Sequence, residues 1–173
     1  MSDKMIRMMY GLALLLFLGG AADVSMFIMQ RYDDFQKGLS DELALTDGFL
    51  SIEQVRFGER LRVERAVDAA AVTCRVPPLL LQPLIENAIT HGIARLLDGG
   101  VIRLNIERRD GRLSIVLENP RDPDEPARGR IGVGLDNVRR RLAATFPGAA
   151  RMDASASPDR FRVEIDLPCV DHD

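Results

Sequence analysis

The chain has 173 residues, a formal net charge of −3 and 46% hydrophobic residues. That length suits one domain with a proper core plus an extension. The apolar fraction excludes a disordered chain, and the slightly acidic balance gives no reason to expect a nucleic-acid surface. The two cysteines, Cys74 and Cys169, show neither metal-ligand spacing nor a disulfide framework. They are expected to stand alone as thiols, which suits a reducing cytosol.

Residues 8–22 form an uncharged run of 15, shorter than the roughly 20 that cross a bilayer as a helix. Lys4 and Arg7 precede it and Gly20-Ala21-Ala22 closes it, which superficially resembles a secretory signal. A buried or dimerising helix is the preferred reading, with a membrane-anchoring helix next. Residues 1–38 are accordingly set apart as a hydrophobic helical extension.

Residues 40–57 read as a linker helix, the core of a segment bounded at 39–58. Leu43, Leu50 and Phe57 recur every seven residues, and Leu45, Phe49, Ile52 and Val55 form a second apolar side. A helix with two apolar sides can pack on its own domain and on another chain. A parallel homodimer through the N-terminal helices is therefore expected; burial wholly inside one chain is the alternative.

The rest, residues 59–173, reads as one domain. Residues 61–67 start with the alternation of a strand, and Val76-Pro77-Pro78 breaks the chain. The run PLLLQPLIENAITHG, residues 78–92, then predicts a helix, with proline tolerated near its first turn. At 100° per residue, Gln82, Glu86, Asn87, Thr90 and His91 share one face and Leu81, Leu84, Ile85, Ala88 and Ile89 the other. The apolar face packs on a core. The polar face holds one charge, Glu86, among amide, hydroxyl and imidazole groups. Such oxygen ligands suit Mg²⁺, which keeps several waters and takes one or two side chains plus substrate phosphates. A plain solvated face remains the alternative.

Ile102, Leu104 and Ile106 alternate with polar residues, Asp110-Gly111 signals a turn, and Leu113, Ile115 and Leu117 alternate again. This predicts a β-hairpin with one buried face. Residues 119–131, NPRDPDEPARGRI, are rich in proline and charge. They predict an exposed, mobile loop, either a lid over a ligand or an ordinary surface connection. In GRIGVGLDNVRRRL, residues 129–142, Gly132 and Gly134 let the backbone approach a ligand as an amphipathic helix opens. The free amides and dipole of a helix N-terminus favour an anion there, and Arg139, Arg140 and Arg141 add positive charge nearby. Phe161, Val163, Ile165 and Leu167 alternate in a final strand closed by Pro168. Helices and mainly antiparallel strands thus interleave as an α+β two-layer domain.

Taken in order, LLLQPLIENAITHG and GVGLDNVRRRL resemble the ATP-binding domain of sensor histidine kinases of the LytS/YehU type. These belong to the ATPase superfamily that also contains gyrase, heat-shock chaperone and mismatch-repair ATPases. LSDELALTDGFLSIEQVRFGERL resembles the linker of the same kinases, so the likeness covers residues 39–168. The resemblance implies a two-layer α/β sandwich of the Bergerat type, with ATP between the helix layer and a long loop. It implies Mg²⁺ held by Asn87, with Glu86 and His91 in the same helical box and Glu86 and Asn87 as the catalytic pair. It implies that Gly132 and Gly134 cradle phosphates, and that Leu135, Asn137 and Arg139 contribute to the nucleotide site. A cytoplasmic location, or the cytoplasmic face of a membrane, and a response-regulator partner follow from the same resemblance.

The sequence also departs from that pattern. Asn119-Pro120 stands where the superfamily has an aspartate followed by glycines, and Thr90 stands where many relatives carry lysine. Asn119 can still accept a hydrogen bond from an adenine amino group, without charge assistance. Alternation aims neighbouring Glu118 to the other face. The histidines are His91 and His172, and neither has the long-helix context of the phosphoacceptor. The leading expectation is an ATP-binding catalytic domain that binds Mg²⁺-ATP for phosphoryl transfer to a histidine not present in its usual context in this chain. The alternatives are a non-catalytic dimerisation or interaction module of the same fold, and an ATPase of another class.

Overall fold

Asp110 and Gly111 both adopt positive φ, 51° and 71°. A two-residue hairpin needs that pair of conformations to match the twist of its strands. The computed structural model describes residues 37–124 and 133–171. Around this turn β4 (Gly100–Arg109) and β5 (Arg112–Pro120) pair antiparallel, with Ile106 opposite Ile115 and Arg109 opposite Arg112. β7 (Arg160–Pro168) pairs antiparallel with β5, and β6 (Arg151–Ala156) with β7. On the other edge β2 (Leu61–Val67) runs parallel to β4, with Leu61 opposite Gly100. The sheet order is β2-β4-β5-β7-β6. One parallel pair among antiparallel ones, with helices on a single face, makes this the expected two-layer α+β sandwich.

Every second residue of the central strands is buried. Ile102, Leu104 and Ile106, Leu113, Ile115 and Leu117, and Val163, Ile165 and Leu167 form the sheet side of one core. The helix side comes from Leu84, Ile85, Ala88 and Ile89 of α2 (Gln82–His91) and from Leu135, Val138 and Leu142 of α3 (Val133–Thr145). Both stripes follow the helical repeat. The opposite sheet face is a lattice of ion pairs, among them Arg103–Glu64 and Arg162–Glu118.

α1 (Leu39–Phe57) begins where β1 (Lys37–Gly38) pairs with β3 (Arg75–Val76). It buries Leu39, Glu42, Thr46 and Leu50, while Leu43, Phe49 and Phe57 pack partly on the core. Of the second apolar side, Leu45, Ile52 and Val55 are exposed, at 44%, 70% and 89%. Phe49, the fourth residue of that side, turns instead partly onto the core. Among the described residues no helix is long and apolar enough to cross a membrane. The helix expected near residues 8–22 lies outside the described residues, as does Gly132.

Two expectations need correction. The helix does not start at residue 78: residues 78–81 form a turn, Leu79 has φ +56°, and α2 begins at Gln82. Backbone amides 79, 80 and 81 are drawn instead to the buried Glu42 carboxylate. The cysteines are not free. Cys74 and Cys169, 95 positions apart in sequence, are joined in a disulfide. Tertiary pairing brings them together, since Cys74 bridges to Asp171 and Arg75 N donates to Val170 O at 2.7 Å. The cysteines therefore give no argument for a reducing compartment.

Candidate functional site

α2 starts with Gln82-Pro83, so the proline sits in the first turn, where its missing amide costs nothing. The helix buries its apolar stripe in the core and leaves Glu86, Thr90 and His91 exposed and Asn87 half-buried. Glu86 accepts a hydrogen bond from Gln82 Nε2 at 2.7 Å along the helix surface. His91 closes the helix.

Two glycines define the ends of this helix against its surroundings. At the start, a Cβ built on Gly134 of α3 would stand 3.8 Å from Pro83 Cβ, an ordinary contact distance. Asn87 lies four residues after Pro83, one turn along the same edge of α2. The expected metal ligand and the expected glycine therefore border one side of one helix. At the other end, a Cβ on Gly92 would meet Ala88 O at 2.5 Å, Asn119 Nδ2 at 2.5 Å and Pro120 O at 2.6 Å. Only a residue without a side chain permits that approach between the end of α2 and the end of β5.

Asn119 is 2% exposed, which places it among the few buried polar side chains. Its Nδ2 donates to Pro120 O at 2.8 Å, and this bond fixes which way the amide points. The Oδ1 atom is buried and has no hydrogen-bond partner. An orphaned buried acceptor costs about 1–3 kcal/mol, so a donor from a water or a bound molecule would be stabilising there. An exocyclic amino group is such a donor. Glu118 is directed to the other sheet face, as alternation requires. There it accepts from Arg162 Nη1 at 2.6 Å, with Arg160 Nη1 at 3.5 Å. Hydrogen bonding to Arg162 and the charge of Arg160 hold its carboxyl below the usual range, against the opposing effect of partial burial. Glu118 is thus committed elsewhere. A cavity of about 240 Å³ beside it is lined by Arg62, Arg103, Glu118, Asn119, Pro120 and Arg160, and by no residue of α2 or α3.

The three arginines of α3 do not converge on one anion. Arg139 Nη2 reaches Met152 O on β6 at 3.5 Å, Arg140 pairs with Asp136 one turn back at 2.7 Å, and Arg141 binds Pro78 O and Leu79 O. Leu135 is 1% exposed in the core, so only its backbone remains for a ligand, whereas Asn137 is exposed. Among the described residues no group of three or more His, Cys, Asp or Glu could hold a metal. A divalent ion at Asn87 would thus need waters and phosphate oxygens to complete its shell, the usual habit of Mg²⁺. The contacts of Glu42 and Arg141 with the turn at residues 78–81 escaped the sequence reading. The available signal was a carboxylate at a helix position flanked on the same face by Leu39, Thr46 and Leu50.

No family model matches the chain. Among curated proteins, the sensor histidine kinase BtsS of Escherichia coli K12 is 31% identical over 134 residues, covering 77% of this chain and 24% of BtsS. The sensor protein LytS of Oceanobacillus iheyensis is 28% identical over 144 residues, covering 75% of this chain and 25% of LytS. This chain spans about a quarter of the length of these relatives. Among solved structures, the histidine kinase domain of the blue-light activated kinase EL346 of Erythrobacter litoralis superimposes with a TM-score of 0.56 at 20% identity. The match covers 76% of this chain and 61% of that one. At that identity the match speaks for the fold.

Proposed function

On the premise that this chain is homologous to the LytS-type sensor histidine kinases and has a histidine kinase catalytic-domain fold, we propose that it binds Mg²⁺-ATP and supplies the phosphoryl group to a histidine. The observation that carries this reading is the buried, unpartnered Asn119 Oδ1 beside Gly92. It offers an acceptor of the kind an adenine amino group needs. Asn87 would hold the metal through its amide oxygen, and Gly134 with the N-terminus of α3 would face the phosphates. When bound, the ion neutralises phosphate charge; the residues of the site position the nucleotide, which is most of what phosphoryl transfer requires. Glu86, the carboxylate of this helix face, accepts from Gln82 Nε2 and would form the catalytic pair with Asn87.

The phosphoacceptor, the response regulator and a location on the cytoplasmic side are part of the same proposal. So is self-association, which the exposed Leu45, Ile52 and Val55 stripe of α1 supports. A full chain that stays monomeric by light scattering at micromolar concentration would remove the dimer from it.

Titration of the full chain with a non-hydrolysable ATP analogue, with and without Mg²⁺, tests the central claim. Metal-dependent binding that Asn87→Ala weakens at least about tenfold is expected, since a metal-ligating oxygen would be lost. Equal binding by Asn87→Ala and the parent would remove Asn87 from the site. The absence of nucleotide binding would select a non-catalytic interaction module, the second reading favoured by Asn119-Pro120.

A further inference from the structure

Residues 78–81 connect β3 to α2 through a conformation that a leucine rarely takes, with Leu79 at φ +56°. Two charged side chains from different helices hold this turn, and they hold the same two peptide groups. In the Pro78–Leu79 peptide, the carbonyl accepts from Arg141 Nη1 at 2.6 Å and the amide donates to Glu42 Oε1 at 2.7 Å. In the Leu79–Leu80 peptide, the carbonyl accepts from Arg141 Nη2 at 2.8 Å and the amide donates to Glu42 Oε2 at 2.7 Å. The guanidinium fork and the carboxylate fork thus grip two successive peptide groups from opposite ends. Each peptide is polarised in one direction by both charges, an arrangement in which hydrogen bonds strengthen one another.

The elements joined in this way are specific. Glu42 is 1% exposed and belongs to the linker helix α1. Its Oε2 also accepts from Leu81 N at 3.1 Å, and Leu81 O receives Leu84 N and Ile85 N, the first hydrogen bonds of α2. Arg141 belongs to α3, the helix that carries Gly134 against Pro83. A shift of α1 therefore pulls on the start of α2 through amides and on α3 through carbonyls of the same turn.

We propose that Glu42 and Arg141 are positioning residues, a paired clamp on residues 78–80 that sets α2 and α3, and so the nucleotide cleft, from the position of the linker helix. The inference rests on the nucleotide-site reading of α2 and α3. It adds a physical route by which a displacement of α1 changes that site. Neither residue touches the nucleotide. Glu42→Gln keeps the shape but turns an NH₂ group toward a backbone amide. Arg141→Gln removes the fork.

The experiment measures, on the full chain, the affinity for a Mg²⁺-bound ATP analogue and the amide hydrogen exchange of residues 135–142 without nucleotide. The variants are Glu42→Gln, Arg141→Gln, the double variant, and Leu50→Val as an α1 core control that leaves the turn intact. Each clamp variant is expected to weaken the analogue about fivefold or more, and the double variant no further than the weaker-binding single, the signature of one coupled unit. Glu42→Gln is expected to speed exchange in α3, and Leu50→Val to change neither reading. Additive losses, or α3 exchange in Glu42→Gln equal to the parent, would overturn the clamp. A parent that binds no nucleotide would instead sink the function proposed above, and the α3 exchange of Glu42→Gln would still decide the clamp.

Discussion

Gly92 and Asn119 approach so closely that a Cβ on the glycine would lie 2.5 Å from the asparagine Nδ2. The other two clashes, with Ala88 O and Pro120 O, involve backbone atoms that cannot swing aside. Gly92→Ala is therefore expected to destabilise the protein by about 1–3 kcal/mol, the usual cost of overpacking, read as a lower urea midpoint. An unchanged midpoint would mean that α2 and β5 are not held this tightly.

Asn119→Asp tests the buried amide at the position where the resemblance implies an aspartate. A carboxylate there replaces the Nδ2 donor with an oxygen facing Pro120 O, from which the present amide stands 2.8 Å. The buried charge would then lack its internal partner. A loss of roughly 1–3 kcal/mol in the nucleotide-free protein is expected, measured by chemical denaturation. A variant as stable as the parent would show that the amide hydrogen bond contributes little.

Glu118 ties part of the stability to acid pH. Its carboxyl is held below the ordinary value of 4.5, chiefly by hydrogen bonding to Arg162. A depressed folded-state value gives a contribution that is fully present above the unfolded-state pKa and is lost as pH falls through the folded one. Asp171, lowered first by Arg108 and then by Thr73, acts in the same sense. The denaturation midpoint should fall on acidification below about pH 4.5, and Glu118→Gln should flatten part of that slope. An identical acid limb in parent and variant would rule out a role for this pair.

Leu79 is half-exposed at φ +56°. A left-handed conformation costs an L-residue about 1–2 kcal/mol, more than the entropic penalty of glycine, about 0.5–1 kcal/mol. Leu79→Gly should thus leave stability unchanged or raise the thermal midpoint slightly. A clear drop would show that the leucine side chain, not the backbone, stabilises the turn.

Period and turn chemistry carried most of the sheet. The alternation of Ile102 to Ile106 and of Leu113 to Leu117 around Asp110-Gly111 became β4, β5 and their turn, and residues 161–167 became most of β7. β6 has no such signature. It is an edge strand that buries Met152 and exposes most of its other residues, so burial imposed little pattern on it. The face of α2 was legible because it follows the helical repeat, but its first turn was not. Glu42 withdraws the preceding amides from 37 to 39 positions away, a competition invisible to local spacing. The directions of Arg139, Arg140 and Arg141 were equally hidden, since three consecutive residues on a helix point three ways. The orphaned Oδ1 of Asn119 depends on a hydrogen bond to the next residue's carbonyl, and no composition rule reports that.

The Cys74–Cys169 bond closes a covalent ring around α2, α3 and every strand from β3 to β7, while α1 enters from outside it. A single proteolytic nick anywhere inside that ring leaves two fragments still fastened together. They would migrate as one species on a denaturing gel until a thiol reagent is added, and as two bands afterwards. A cut in α1 would release its piece without any reductant, so the gel alone distinguishes the two sides of the ring.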